Sequence, residues 1–158
     1  MKRSYIYLFL FILSSSTVFT SCEKDDEFPA GKNEFVINND SANIFQTGKL
    51  VWLFNPEYEV NTINTSDSSV IKFEMTIYKA VLDTGQIYTG RDVGISISGD
   101  KIKTYTSNND LKVKITAMGK QNENGGYIAG SYTGTFFYVE NARSVNVNIK
   151  GAFSTTKR

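Results

Sequence analysis

The 158-residue chain has no histidine, one cysteine and two prolines, and its 17 basic and 16 acidic residues leave a formal charge of only +1. Each scarcity removes a class of chemistry. Without His, the chain by itself forms no Ser-His-acid or Cys-His nucleophilic centre and no His-ligated zinc site. A single thiol permits neither an internal disulfide nor a multi-thiolate metal site. A near-neutral chain with no block of Lys and Arg lacks what neutralisation of a phosphate backbone requires, so no nucleic-acid partner is expected. The remaining route to acid-base catalysis is a carboxylate pair of the glycosidase kind, held roughly 5 to 9.5 Å apart. Glu74 is the only acid in the middle of a clear strand pattern, and it falls on the solvent side together with Lys72. Glu57, Glu59, Asp83, Asp92, Asp100, Asp110 and Glu123 fall in or near turns. Neither Asn108-Asn109-Asp110 nor Asp83-Thr84-Gly85 has the spacing of a calcium loop. The expectation is a protein that is not an enzyme and carries no metal or cofactor.

What the chain does have is an export signal. Met1-Lys2-Arg3 precedes the apolar run from Tyr5 to Leu13, followed by Ser14-Ser15-Ser16-Thr17 and then Ser21-Cys22. A basic start, a short apolar core and a small-residue exit define a secretory signal peptide. The apolar core is less than half of the roughly 20 residues that span a bilayer as a helix. Removal of residues 1–21 takes Lys2 and Arg3 with it and leaves a net charge of −1.

Phe19-Thr20-Ser21-Cys22 resembles the lipobox of bacterial lipoproteins, in the looser form of Bacteroidetes-type bacteria. The resemblance implies that Cys22 is acylated, becomes the new N-terminus and makes the membrane a partner; more than one acyl chain would hold it there durably. Directly after it, Glu23-Lys24-Asp25-Asp26-Glu27 sets four acids against one base, the composition of a solvated tether. Lys24-Asp25-Asp26 also resembles the acidic export signal of surface-exposed lipoproteins of that type, which implies the outer membrane and display outside the cell. The chain thus divides into a signal peptide, 1–21, a lipidated acidic tether, 22–33, and a single domain, 34–158.

Within that domain apolar and polar residues alternate with period two. The pattern is clearest over Ile71–Ile77, Leu111–Ala117 and Val145–Lys150, with shorter examples at Glu34–Ile37, Val93–Ser98 and Ile102–Thr106. Each reads as a half-buried strand. Leu50-Val51-Trp52-Leu53-Phe54 is apolar on both faces and predicts a strand covered on both sides. Gly99-Asp100, Ser107–Asp110, the Gly119–Gly126 loop and Glu140-Asn141-Ala142-Arg143 supply turn residues, so the chain from Val93 onward reads as an antiparallel meander of about five strands. Pro56–Asn61 predicts one turn capped by Asn55, and no long amphipathic helix is present in the pattern. The predicted fold class is all-β: an antiparallel sandwich or flattened barrel of about eight to ten strands, with a C-terminal meander.

The most distinctive segment is Tyr127–Tyr138, where Gly130 and Gly134 share a face with Ile128, Tyr132 and Phe136. Glycine in a strand weakens it unless something needs the space, which predicts large aromatics lying over these positions, or a bulge; the functional alternative is a floor for a ligand ring. This segment, with Val145–Phe153, resembles the C-terminal hairpin of small Bacteroidetes outer-membrane lipoproteins carrying a G-x-F-x-G-T-like strand. The resemblance implies an all-β fold and carries no catalytic residue. Tyr58, Tyr88, Tyr105 and Tyr127 flank turns, where exposed aromatics beside Asn and Asp would serve as ligand contacts. The leading expectation is a non-catalytic, lipid-anchored envelope protein that binds a glycan or protein partner. The alternatives are a structural subunit of a surface assembly and a barrel carrying an apolar ligand.

Overall fold

The computed structural model describes residues 33–42, 44–66, 71–119 and 126–157; the signal peptide, Cys22, the Lys24-Asp25-Asp26 motif and Glu123 lie outside them. Eleven strands follow in chain order: β1 Glu34–Ile37, β2 Ile44–Gln46, β3 Leu50–Asn55, β4 Val60–Thr65, β5 Ile71–Ile77, β6 Ile87–Thr89, β7 Val93–Gly99, β8 Ile102–Ser107, β9 Lys112–Gly119, β10 Tyr127–Glu140 and β11 Arg143–Lys157. A single 3-10 turn, Gly90–Asp92, separates β6 from β7.

The long β10–β11 hairpin organises the rest. Its two-residue loop, Asn141-Ala142, has both residues at positive φ, the geometry that matches the right-handed twist of the flanking strands. Beside the hairpin lie β1 and β2 on one side and β9 and β6 on the other, giving one layer in the order β2-β1-β11-β10-β9-β6. The second layer is β3-β4-β5-β7-β8. The hairpin joins the two layers at both of its ends. Near its loop, Phe136 and Phe137 of β10 pair with β8; at its open end, Thr156 and Lys157 of β11 run parallel to Val51 and Trp52 of β3. All other described pairings are antiparallel. The result is a flattened barrel, closed through β11-β3-β4-β5-β7-β8-β10, as the all-β reading predicts.

Alternation decides what fills it. On β5, Phe73, Met75 and Ile77 are buried while Lys72 and Glu74 face solvent. Trp52, Phe35, Phe73, Phe136 and Phe153 are among the largest fully buried side chains, and the Phe73 and Tyr132 rings meet across the layers at 5.5 Å. The glycines serve this packing. Gly130 lies opposite Phe153 and Gly151 opposite Tyr132, so each aromatic ring folds over a glycine on the neighbouring strand. A shift in the β10–β9 register falls between Ala129 and Gly130, where a bulge was one of the two predicted uses of that glycine.

Two details differ from the sequence reading. β3 is covered on both sides only over Leu50–Trp52; Leu53 is 43% exposed, because β3 lies at a corner, with β4 along one edge but only the end of β11 along the other. Among themselves the five strands from β7 to β11 pair only antiparallel, but β8 and β9 do not pair with each other. Both lie along β10, β8 near the hairpin loop and β9 near its open end. The Ser107–Asp110 turn therefore carries the chain from one layer to the other. It is fixed by Asn108 N–H donating to the Thr135 carbonyl, by Asp110 accepting from the Thr135 N–H and hydroxyl, and by fully buried Leu111, whose backbone lies against Gly134.

Inside the core the Tyr132 hydroxyl is buried and has no hydrogen-bond partner. Removing an unsatisfied polar atom relieves a desolvation cost, so Tyr132→Phe should leave stability unchanged or raise it by about 1 kcal/mol. Burial also pushes the phenol far above its ordinary value of 10.0. The unfolded chain therefore loses this proton first as pH rises. The associated stability is fully present below about pH 10 and declines above it by about 1.4 kcal/mol per pH unit. Urea unfolding between pH 8 and 11.5 should show the wild type losing stability more steeply than Tyr132→Phe; parallel curves would refute the assignment.

Candidate functional site

On the outer face of the second layer, β8 leaves β7 to reach β10. Ser96 and Ile97 still pair with Thr106 and Tyr105, but the Ile95 N–H donates to the Ser107 side-chain oxygen at 2.9 Å, while Ser107 itself is opposite Phe136 of β10. The divergence opens a groove of about 490 Å³. Such a volume lies in the range of small-molecule sites.

Its walls follow from strand register. Glu74 of β5, Ser96 of β7 and Thr106 of β8 form one transverse row, and Thr76 and Gly94 the next. Tyr78 and the 3-10 turn, with Gly90 and Arg91, close one end, while Asn108 and Asn109 form the side wall. Val93 and Ile95 have buried side chains, so it is their backbone that contributes to the floor. Gly94 sits in the middle, and a Cβ built there would meet nothing within 4 Å. The depression is centred on the missing side chain.

Two interactions hold the closed end. The Tyr78 N–H donates to the Asp92 carbonyl at 2.8 Å, and Lys79 pairs with the Asp92 carboxylate at 3.1 Å. That pair leaves Arg91 as the cation facing the groove. Among the described residues, neither the Arg91 nor the Glu74 side chain has an ion-pair or hydrogen-bond partner. Tyr78 is 54% exposed and is the groove's aromatic ring.

The four tyrosines singled out from the sequence are placed elsewhere. Tyr58 is 68% exposed on the β3–β4 turn, where Asn55 accepts from the Glu57 and Tyr58 N–H groups as the predicted cap, and Tyr127 is half-exposed with its ring over Gly119. The expected exposure fails for Tyr88 and Tyr105, which are 4% and 8% exposed. The phase of the alternation puts both inside: Tyr88 accepts a hydrogen bond from the Asp83 N–H, and Tyr105 meets Tyr138 edge-on at 5.6 Å. Burial raises both phenol pKa values. None of the four lines the groove.

The residue that does, Tyr78, continues the outward series Glu74, Thr76, Tyr78, so period two extended by one step would have reached it. A second, smaller depression of about 350 Å³ includes Asp110, Lys112, Thr133 and Lys150, but the carboxylate of Asp110 is already engaged with Thr135. Among the described residues, no three His, Cys, Asp or Glu side chains converge as a metal site would require.

Comparison with models of known families, with curated proteins and with solved structures gives no match for this chain.

Proposed function

We propose that the protein is a non-catalytic, lipid-anchored component of the cell envelope that binds a glycan in the groove over Gly94. One observation carries the reading: the groove's side chains are hydroxyls, amides, one carboxylate, one guanidinium and one exposed phenol, with no aliphatic side chain directed into it. Protein interfaces concentrate their energy in buried aromatic and apolar anchors, whereas a polyhydroxylated ligand needs dense hydrogen-bonding groups around a single ring surface. The sheet edges support the same preference over an assembly subunit. β2 and β6 are three residues long, little for strand addition to grip. The anchor assignment, acylation at Cys22 with the acidic tether behind it and display on the outer membrane, rests on the sequence resemblance and is tested by mass spectrometry of the native N-terminus.

The groove itself is tested by filling it. Gly94 has ordinary backbone geometry and open space above it, so Gly94→Phe should fold like the wild type, with a melting temperature within a few degrees. On a glycan array the wild type should retain specific saccharides and Gly94→Phe none of them. Undiminished binding by Gly94→Phe would remove this site from consideration.

A further inference from the structure

The geometry points to a saccharide that carries a carboxylate, held with its acid group on Arg91, its ring against Tyr78 and its hydroxyls directed toward Glu74 and Ser96; this rests on the glycan reading of the groove. The argument starts from which charges are spoken for. Lys79 and Asp92 neutralise each other at 3.1 Å, immediately beside the groove's closed end. Arg91, between Gly90 and Asp92, is exposed, lines the groove and has no partner among the described residues. A guanidinium is a planar fork of donors that matches a carboxylate in two parallel hydrogen bonds. Among the described residues nothing uses that capacity.

The opposite charge is at the other end. Glu74 is opposite Ser96, whereas Tyr78, the residue after β5, is bonded to Asp92 beside Arg91; the two backbone positions are four residues apart, about 13 Å at the rise of an extended strand, so Glu74 stands away from a ligand acid at Arg91. An unpaired carboxylate there accepts hydrogen bonds and repels a second acid, while Ser96 and Thr106 in the same row offer hydroxyls. The groove is therefore polarised: one end suits an anionic group beside an aromatic face, and the other suits neutral hydroxyls. A uronic or sialic acid residue joined to neutral sugars has that distribution. A uniformly neutral glycan leaves Arg91 unused, and a polymer charged at every unit places an acid on Glu74.

The test uses the full-length protein in detergent and a panel of uronic- and sialic-acid oligosaccharides, each beside its counterpart with the carboxylates reduced to alcohols. Calorimetric titration should show at least one acidic saccharide binding about ten- to a hundredfold more tightly than its reduced form, the range expected for a charge-assisted hydrogen-bonded pair. Arg91→Gln should abolish that difference with an unchanged melting temperature, and Arg91→Lys should retain only part of it. Glu74→Gln should relax the rejection of saccharides charged at every unit. If acidic and reduced forms bind equally, or Arg91→Gln binds like the wild type, while Gly94→Phe still abolishes binding, the carboxylate inference falls and the groove remains a neutral-glycan site. If no saccharide binds, both fall together.

Discussion

Gly151→Ala should destabilise the domain by about 3 kcal/mol, near the upper end of what an added methyl costs in a packed interior. A Cβ at Gly151 would overlap the Tyr132 ring and stand 2.7 Å from the Glu34 carbonyl oxygen. The ring is a side chain and can turn. The carbonyl belongs to β1, whose register with β11 is fixed at Glu34 opposite Ala152, so it cannot retreat without loosening that ladder. Gly130→Ala meets the same obstacle, with the Lys114 carbonyl of β9 and the Phe153 ring at 2.6 Å. Because backbone is the harder half of each clash, trimming Tyr132 to Leu in the Gly151→Ala background should recover less than half of the loss. Gly94→Ala and Gly119→Ala are the controls. The first meets open space and the second only the half-exposed Tyr127 ring, so the usual gain of about 0.5 to 1 kcal/mol from replacing a strand glycine should appear or nearly cancel. Denaturant midpoints for the four variants check the order; equal costs at Gly151 and Gly94 would contradict the close-packed hairpin.

These glycines show what the sequence could and could not convey. That Gly130 sits under a large aromatic was predictable, because a glycine between Ile128 and Tyr132 on an inward face needs a reason. That the aromatic is Phe153, and that Gly151 repays Tyr132 in the same way, depends on the β10–β11 register, which the short Asn141-Ala142 loop fixes only once its type is known. Strands with strict alternation, such as Ile71–Ile77, were legible to the residue. β4 was not, because its inward positions are Asn61 and Ile63 and its outward ones include Val60, which scrambles the apolar rhythm. β2 and β6, at three residues each, are too short to show a period at all.

The groove was illegible for a different reason. Its residue types are ordinary for a solvent-facing sheet, and Glu74 read alone is a surface charge. What makes a site of them is a long-range event, the departure of β8 from β7 toward β10, which leaves Gly94 uncovered and Ser107 substituting its hydroxyl for a ladder partner. Nothing within the segment 93–107 announces that β8 will pair thirty residues downstream. The four turn-flanking tyrosines illustrate the converse: proximity to a turn does not make a side chain exposed, and the phase of alternation, which puts Tyr88 and Tyr105 inside, decides it.

Asn61 is where the same principle has its second large energetic consequence. It is fully buried on β4, and its side chain makes two hydrogen bonds that no apolar residue can make. The indole N–H of Trp52 donates to its Oδ1 at 2.9 Å, and its own Nδ2 donates to the Lys79 carbonyl at 2.6 Å. One amide thus ties β3 to the chain leaving β5, next to the Lys79–Asp92 pair that supports the groove's closed end. Asn61→Leu should cost about 2 to 4 kcal/mol, since the buried indole N–H of Trp52 would lose its bond at about 1 to 3 kcal/mol and the part-buried Lys79 carbonyl would lose a second, smaller contribution. Asn61→Asp separates hydrogen bonding from shape. An ionised carboxylate still accepts from Trp52 but cannot donate to Lys79, and it carries a buried charge; a protonated one does both. Burial raises the folded-state pKa of such a carboxyl above its unfolded value of about 3.9, so the stability it contributes is complete below that value and is lost as pH climbs through the folded pKa. The deficit of Asn61→Asp relative to wild type should therefore be small near pH 3.5 and several kcal/mol at pH 7, the reverse of ordinary acid denaturation. Trp52 is the chain's sole tryptophan, so its fluorescence reports both unfolding and the loss of its hydrogen bond. A deficit that stays small up to pH 7 would mean that the amide is replaceable, and that the Trp52–Asn61–Lys79 connection is not what holds this corner of the barrel together.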